Sequence, residues 1–78
     1  MPTVLRVGGF RFFFFSNEGR EPPHIHVKAG DEEAKFWLSP VSLVVNYGFN
    51  GRELTRIQRL IEEHRDELLE AWNEHFSA

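Results

Sequence analysis

Pro22-Pro23-His24-Ile25-His26-Val27-Lys28, followed across Gly30-Asp31 by Glu33-Ala34-Lys35-Phe36-Trp37-Leu38, is the stretch on which the fold turns. The two prolines hold the approach extended. From His24 to Lys28 polar and apolar residues alternate, and a period of two marks a strand with one buried face. Ile25 and Val27 point to a core; His24, His26 and Lys28 point the other way. Gly30-Asp31 reads as a two-residue turn, and counting back from it sets the register of a hairpin. Val27 falls opposite Ala34 and Ile25 opposite Phe36 on the core side. On the other side Lys28 falls opposite Glu33, His26 opposite Lys35 and His24 opposite Trp37. Apolar meets apolar and Lys28 meets an acid, so the pairing is consistent on both faces.

Working outward, Thr3–Val7 is rich in β-branched residues and predicts a strand. Gly8-Gly9 is a hairpin signal, and Phe10–Phe15 returns as a second strand. Phe10, Phe12 and Phe14 lie on one face of it, with Arg11, Phe13 and Phe15 on the other. A strand apolar on both faces wants cover on both: a helix on one side, a second subunit or partner on the other. Ser16–Glu21 is a polar loop. Ser39-Pro40 ends the hairpin or starts a short helix, and Val41–Tyr47 alternates well enough for a fifth strand.

The last third predicts one helix over about 51–76. Asn50 is a good N-cap with Glu53 three residues later, and Phe49 and Leu54 sit where a hydrophobic staple would. Leu54, Ile57, Ile61, His64, Leu68, Ala71, Trp72, His75 and Phe76 form one stripe. Such a helix is roughly 39 Å long against strands of roughly 20 Å. It would overhang the sheet, leaving Trp72 and Phe76 in need of another contact. The fold class is therefore α+β: an antiparallel sheet of four or five strands over residues 1–49, with one long C-terminal helix packed on it.

Seventy-eight residues make one domain, residues 1–78, with no room for two cores. There is no cysteine, which excludes disulfide staples and thiolate metal sites and fits a reducing compartment. Eight Phe residues are how so short a chain would make a core. No signal peptide and no apolar run near 18 residues are present, so the expectation is a soluble cytoplasmic protein with no membrane contact. A net charge of −3 rules out a generally basic nucleic-acid binder and permits a local basic patch. The imbalance is C-terminal: residues 1–49 carry five basic and five acidic side chains, residues 50–78 four and seven.

The polar side of the central hairpin is the candidate site. His24 and His26 at alternate positions share a face, but zinc wants a third protein ligand and nothing nearby supplies one, so neither metal nor cofactor is expected. The same face offers Arg11, Lys28 and Lys35 to phosphate, and Phe13, Phe15 and Trp37 to unstacked bases. RNA contact is one reading. Metal-independent RNA cleavage is another, with His24 or His26 as general acid or base and Lys35 or Arg11 stabilising charge. The structural alternative is a face buried against another chain, a non-catalytic interaction module with a homo-oligomer contact through Phe13, Phe15, Trp72 or Phe76. Arg52, Arg56 and Arg59 read as a solvated helix face. His64 and His75 read as core or interface residues, and Glu63, Asp66, Glu67, Glu70 and Glu74 as a solubility face.

Met-Pro-Thr-Val at the start, Gly8–Glu18, the Pro-Pro-His-Ile-His-Val run at 22–27, Glu33–Leu38 and Leu69–Phe76 resemble a widespread bacterial family of small uncharacterised proteins, one of the numbered domains of unknown function. The positions that match its motif are Pro22, Pro23, His24, His26, Lys35 and Trp37, the surface already singled out. The resemblance implies gene pairing with a second small protein in toxin–antitoxin-like pairs, hence a cognate protein partner. It implies no catalytic residues.

Overall fold

Alternation and turn chemistry build a meander. The computed structural model describes residues 3–15 and 19–76. Five antiparallel strands, β1 (Thr3–Val7), β2 (Phe10–Phe13), β3 (His24–Ala29), β4 (Glu32–Leu38) and β5 (Val41–Tyr47), lie side by side in chain order. Gly8 and Gly9 both have positive φ, which the tight turn twisted to match its strands requires and side chains resist. The β3–β4 register is the one counted from Gly30-Asp31, from His24 opposite Trp37 to Lys28 opposite Glu33. Ser39-Pro40 turns β4 directly into β5, with Leu38 opposite Val41, so no short helix forms there. Ser16, Asn17 and Glu18, read as part of a polar loop, lie outside the described residues.

One face of the sheet carries the core. Phe10, Phe12, Ile25, Val27, Ala34, Phe36 and Leu38 pack with Phe14 and Phe49 against Ile57, Ile61, Leu68 and Trp72 of the helical cover. The link from β5 is clamped by Asn46, whose side chain accepts from the Phe49 amide at 3.0 Å and donates to the Phe49 carbonyl at 2.9 Å. Asn50 then caps the helix. Its side chain accepts from the Glu53 amide at 2.8 Å, and the Glu53 carboxylate accepts from the Asn50 amide at 3.1 Å.

The single long helix is corrected to two: α1 (Gly51–Glu63) and α2 (Arg65–Phe76). Neither Pro nor Gly marks the break. At His64 the ring Nδ1 donates to the Leu60 carbonyl at 2.9 Å, beside the backbone bond from the His64 amide to the same oxygen at 3.1 Å. A side chain competing for a backbone acceptor is a known cause of helix bending. Arg65 then ties α2 to the β4–β5 turn, donating to the Leu38 carbonyl at 2.9 Å and to Ser39 Oγ at 3.1 Å. The change of direction answers the overhang: Trp72 and Phe76 turn back onto their own chain. Trp72 lies 5.5 Å from Phe14 and 4.2 Å from Phe76 between ring centroids.

Replacing Asn50 by Ala removes the side-chain half of the capping box, the bond from the Glu53 amide, and leaves the Asn50 backbone amide free to donate to Glu53. Denaturant unfolding of Asn50→Ala is expected to show a loss of about 1 kcal/mol, which Asn50→Ser restores in large part.

Candidate functional site

The face opposite the core is neither a polar coat nor an open platform. His24 is 0% exposed and His26 8%, a correction to the expectation that both stand at the surface. Phe13, expected to need a partner's cover, is 1% exposed within its own chain. The face closes with its own side chains. His26 stacks on Phe13 at 5.5 Å and meets Phe15 edge-on at 4.7 Å, and the Arg11 guanidinium lies 4.7 Å over the Phe13 ring. His24 sits among three rings: His26 at 5.3 Å, Trp37 at 6.0 Å and, where α2 reaches the end of β3, Trp72 at 4.8 Å. Trp72, like Phe13, is buried in the chain, so neither can form the homo-oligomer contact read from the sequence. Phe15 and Phe76 are half-buried.

Polar contacts fix the layer. His24 Nδ1 lies 3.0 Å from the Pro22 carbonyl; a carbonyl only accepts, so this nitrogen carries the proton. Lys35 Nζ donates to Glu21 Oε1 at 2.6 Å and rests 5.1 Å from the Trp37 ring. Glu21, from the loop before β3, therefore neutralises the lysine read as a charge stabiliser. His26 Nδ1 lies 4.0 Å from Glu33. Among the described residues no three His, Asp or Glu side chains come together in a group that could hold a metal ion. His64 and His75 stay apart from His24 and His26: His64 ends α1, and His75 is exposed beside Phe14 on α2.

Toward the Gly8-Gly9 and Gly30-Asp31 turns the same face changes character. Arg6 is opposite Arg11, and Arg11 is opposite Lys28, so three cations form a row across β1, β2 and β3. They line a shallow groove of about 260 Å³ with Gly9, Ala29 and Gly30. Like charges directly opposite on neighbouring strands are destabilising by roughly 0.2–1 kcal/mol per pair. Among the described residues none of the three makes an ion pair, and the buried Arg11 Nε has no hydrogen-bond partner. Arg11 and Lys28 were read as binding residues; Arg6 was not. The signal for it lay in the Gly8-Gly9 turn, since counting back from a two-residue loop puts Arg6 opposite Arg11. Trp72 carries no such signal, because it is not related to the histidines by local spacing; Glu21, three residues before His24 and 3.9 Å from its Nδ1, is close in sequence but pairs with Lys35, fourteen residues on.

Fold and face define a class: an α+β domain whose antiparallel meander carries two helices on one face and, on the other, an aromatic–histidine layer rimmed by cations. A protein-family model described as a domain of unknown function, DUF4160, matches residues 9–73, and the chain belongs to that family. No curated protein and no solved structure matches it. No helix among the described residues is long and apolar enough to cross a membrane.

His24 acts as a packing residue in this layer. Urea unfolding of His24→Ala is expected to show a loss of roughly 2–4 kcal/mol, from the cavity and the stranded Pro22 carbonyl. His26→Ala, nearer the surface, is expected to lose less.

Proposed function

We propose that the sheet face opposite the helices binds a polyanion, single-stranded RNA first, and does so without cutting it. The observation that carries this reading is the Arg6–Arg11–Lys28 row. Arg6 against Arg11 and Arg11 against Lys28 set cation beside cation, with only Glu33, opposite Lys28, to offset them, whereas phosphates spaced along a strand of nucleic acid would satisfy all three. Phe15 and Trp37, both half-buried, offer ring surface for bases farther along the same face, toward His24 and His26. Binding without cleavage follows from the two groups best suited to catalysis. His24 is enclosed by rings, and Lys35 is held by Glu21. Of the residues predicted to be catalytic, His26 and Lys35 keep a small exposure, and Lys35, opposite His26, is paired with Glu21.

The biological role we assign is that of one member of a toxin–antitoxin-like pair in the cytoplasm. Support for the pairing comes from the family resemblance, and support for the compartment from the absence of cysteine. A cognate small protein would meet the same row with an acidic surface and compete with RNA for it.

Fluorescence anisotropy with a short single-stranded RNA tests the reading. The logarithm of the binding constant should fall against the logarithm of salt concentration with a slope of about −2, at about 0.7 per phosphate for three contacts. Arg6→Thr, Arg11→Thr and Lys28→Thr should each flatten the slope by about 0.7, with no fall in melting temperature for the exposed Arg6 and Lys28. The RNA should emerge uncut. Binding that is absent, or indifferent to all three substitutions, would sink the proposal, and cleavage abolished by His26→Ala would replace it with the enzymatic one.

A further inference from the structure

The sheet has two edges, and they differ. Both carry a bulge, β1 around Val4 and β5 at Val44, and β1 also carries Arg6. β5 is Val-Ser-Leu-Val-Val-Asn-Tyr, seven residues with no charge and no proline, the two features that most often keep an edge strand from pairing with another chain. The large apolar side chains of the described residues that stand most exposed are all on it: Leu43 at 43%, Val44 at 39% and Tyr47 at 65%. Leu43 is the telling one. It pairs with Phe36, so it belongs to the core-facing positions, yet it stands largely uncovered. The core layer runs out to the edge and is left open there.

We infer that β5 joins two copies of this chain: the β5 strands pair antiparallel about a twofold axis and turn two five-stranded sheets into one continuous sheet. The occupant is argued from the strand itself. Val41, Leu43 and Asn46 face the core, opposite Leu38, Phe36 and Ala34, while Ser42 and Val45 face the other way, opposite Trp37 and Lys35. Val44 is the extra residue of a bulge. Because of that extra residue, one self-pairing keeps every pair on a single face: Val41 against Asn46 of the second copy, Ser42 against Val45, and Leu43 against Val44. The two most exposed aliphatic side chains then cover each other at the axis, and no charge meets a like charge. Pairing β5 to β1 instead would be head-to-tail and would not close, giving an open fibre; β5 to β5 is isologous and ends at two. An antiparallel edge pairing has its axis normal to the sheet, so both Arg6–Arg11–Lys28 rows fall on one side of the joined surface. The dimer does not depend on those rows binding anything.

Light scattering coupled to size exclusion tests this on the full chain. The wild type should run as a dimer. Leu43→Lys combined with Val44→Lys, at two exposed positions, should run as a folded monomer with a native circular-dichroism spectrum and a cooperative melt, lowered only by the loss of association. Amide hydrogen exchange of the wild type gives a readout that does not depend on the variant folding: β5 amides should be protected at high protein concentration and lose that protection on dilution, while β3 amides stay protected. A wild type that stays monomeric overturns the inference, whether or not a strand from some other protein adds to the same edge. A dimer that survives the double substitution in a folded protein, or β5 protection indifferent to dilution, overturns it as well.

Discussion

The register of β3 on β4 is the constraint on which the other features depend. Side chains alternate between faces with a period of two, so a slip of one residue would send Ile25 and Val27 to the outer layer and His24 and His26 into the apolar core. The two-residue turn at Gly30-Asp31, with Gly30 at a φ of 60°, prevents that slip. Once it holds, Ile25 meets Phe36 beneath the helices and His24 meets Trp37 above. β2 then has only one way to dock that places Phe12 with Val27 and Phe13 with His26.

A chain of this size has little area to spare for a conventional core, and the molecule responds by burying both faces of its sheet. The inner face does so with two helices. The outer face does so with rings of its own, where Phe13, Phe15, His24, His26 and Trp37 lie against one another and polar contacts from Pro22 and Glu21 hold them. An imidazole suits such a layer because it is flat like its neighbours and can still satisfy a backbone carbonyl. The alternating histidines that look like a site in the primary structure are in large part the packing of a second, thinner core, and the reactive potential of the face moves to its rim.

At that rim the structure accepts repulsion it could have avoided. Arg6, Arg11 and Lys28 stand side by side on three neighbouring strands, in a chain with an excess of acidic residues. Few carboxylates are near: Glu21 is on Lys35, Glu33 lies opposite Lys28 and 4.0 Å from His26, and most of the others are on α1 and α2. The same economy shows at β5, where an uncharged edge with exposed Leu43 and Val44 is kept on a molecule rich in charge. Places where local stability is given up without internal compensation are where a binding surface is expected.

What the sequence determined by itself is whatever depends on near neighbours. The α+β class, four of the five strands, the tight turns, the central register and the Asn50 capping box follow from alternation, glycine positions and i to i+3 spacing. Each is settled within a few residues of chain, and even the Arg6–Arg11 pair could be counted from Gly8-Gly9. The tertiary structure alone decided the rest. Whether His24 is surface or interior depends on where Trp72 lands, nearly fifty residues later, and that depends on a bend at His64 for which no proline or glycine gives warning. Whether Lys35 is available depends on Glu21, fourteen residues away in sequence and brought to it only by the tertiary fold. Burial and charge pairing are properties of what approaches from elsewhere in the chain, and no local pattern encodes the approach.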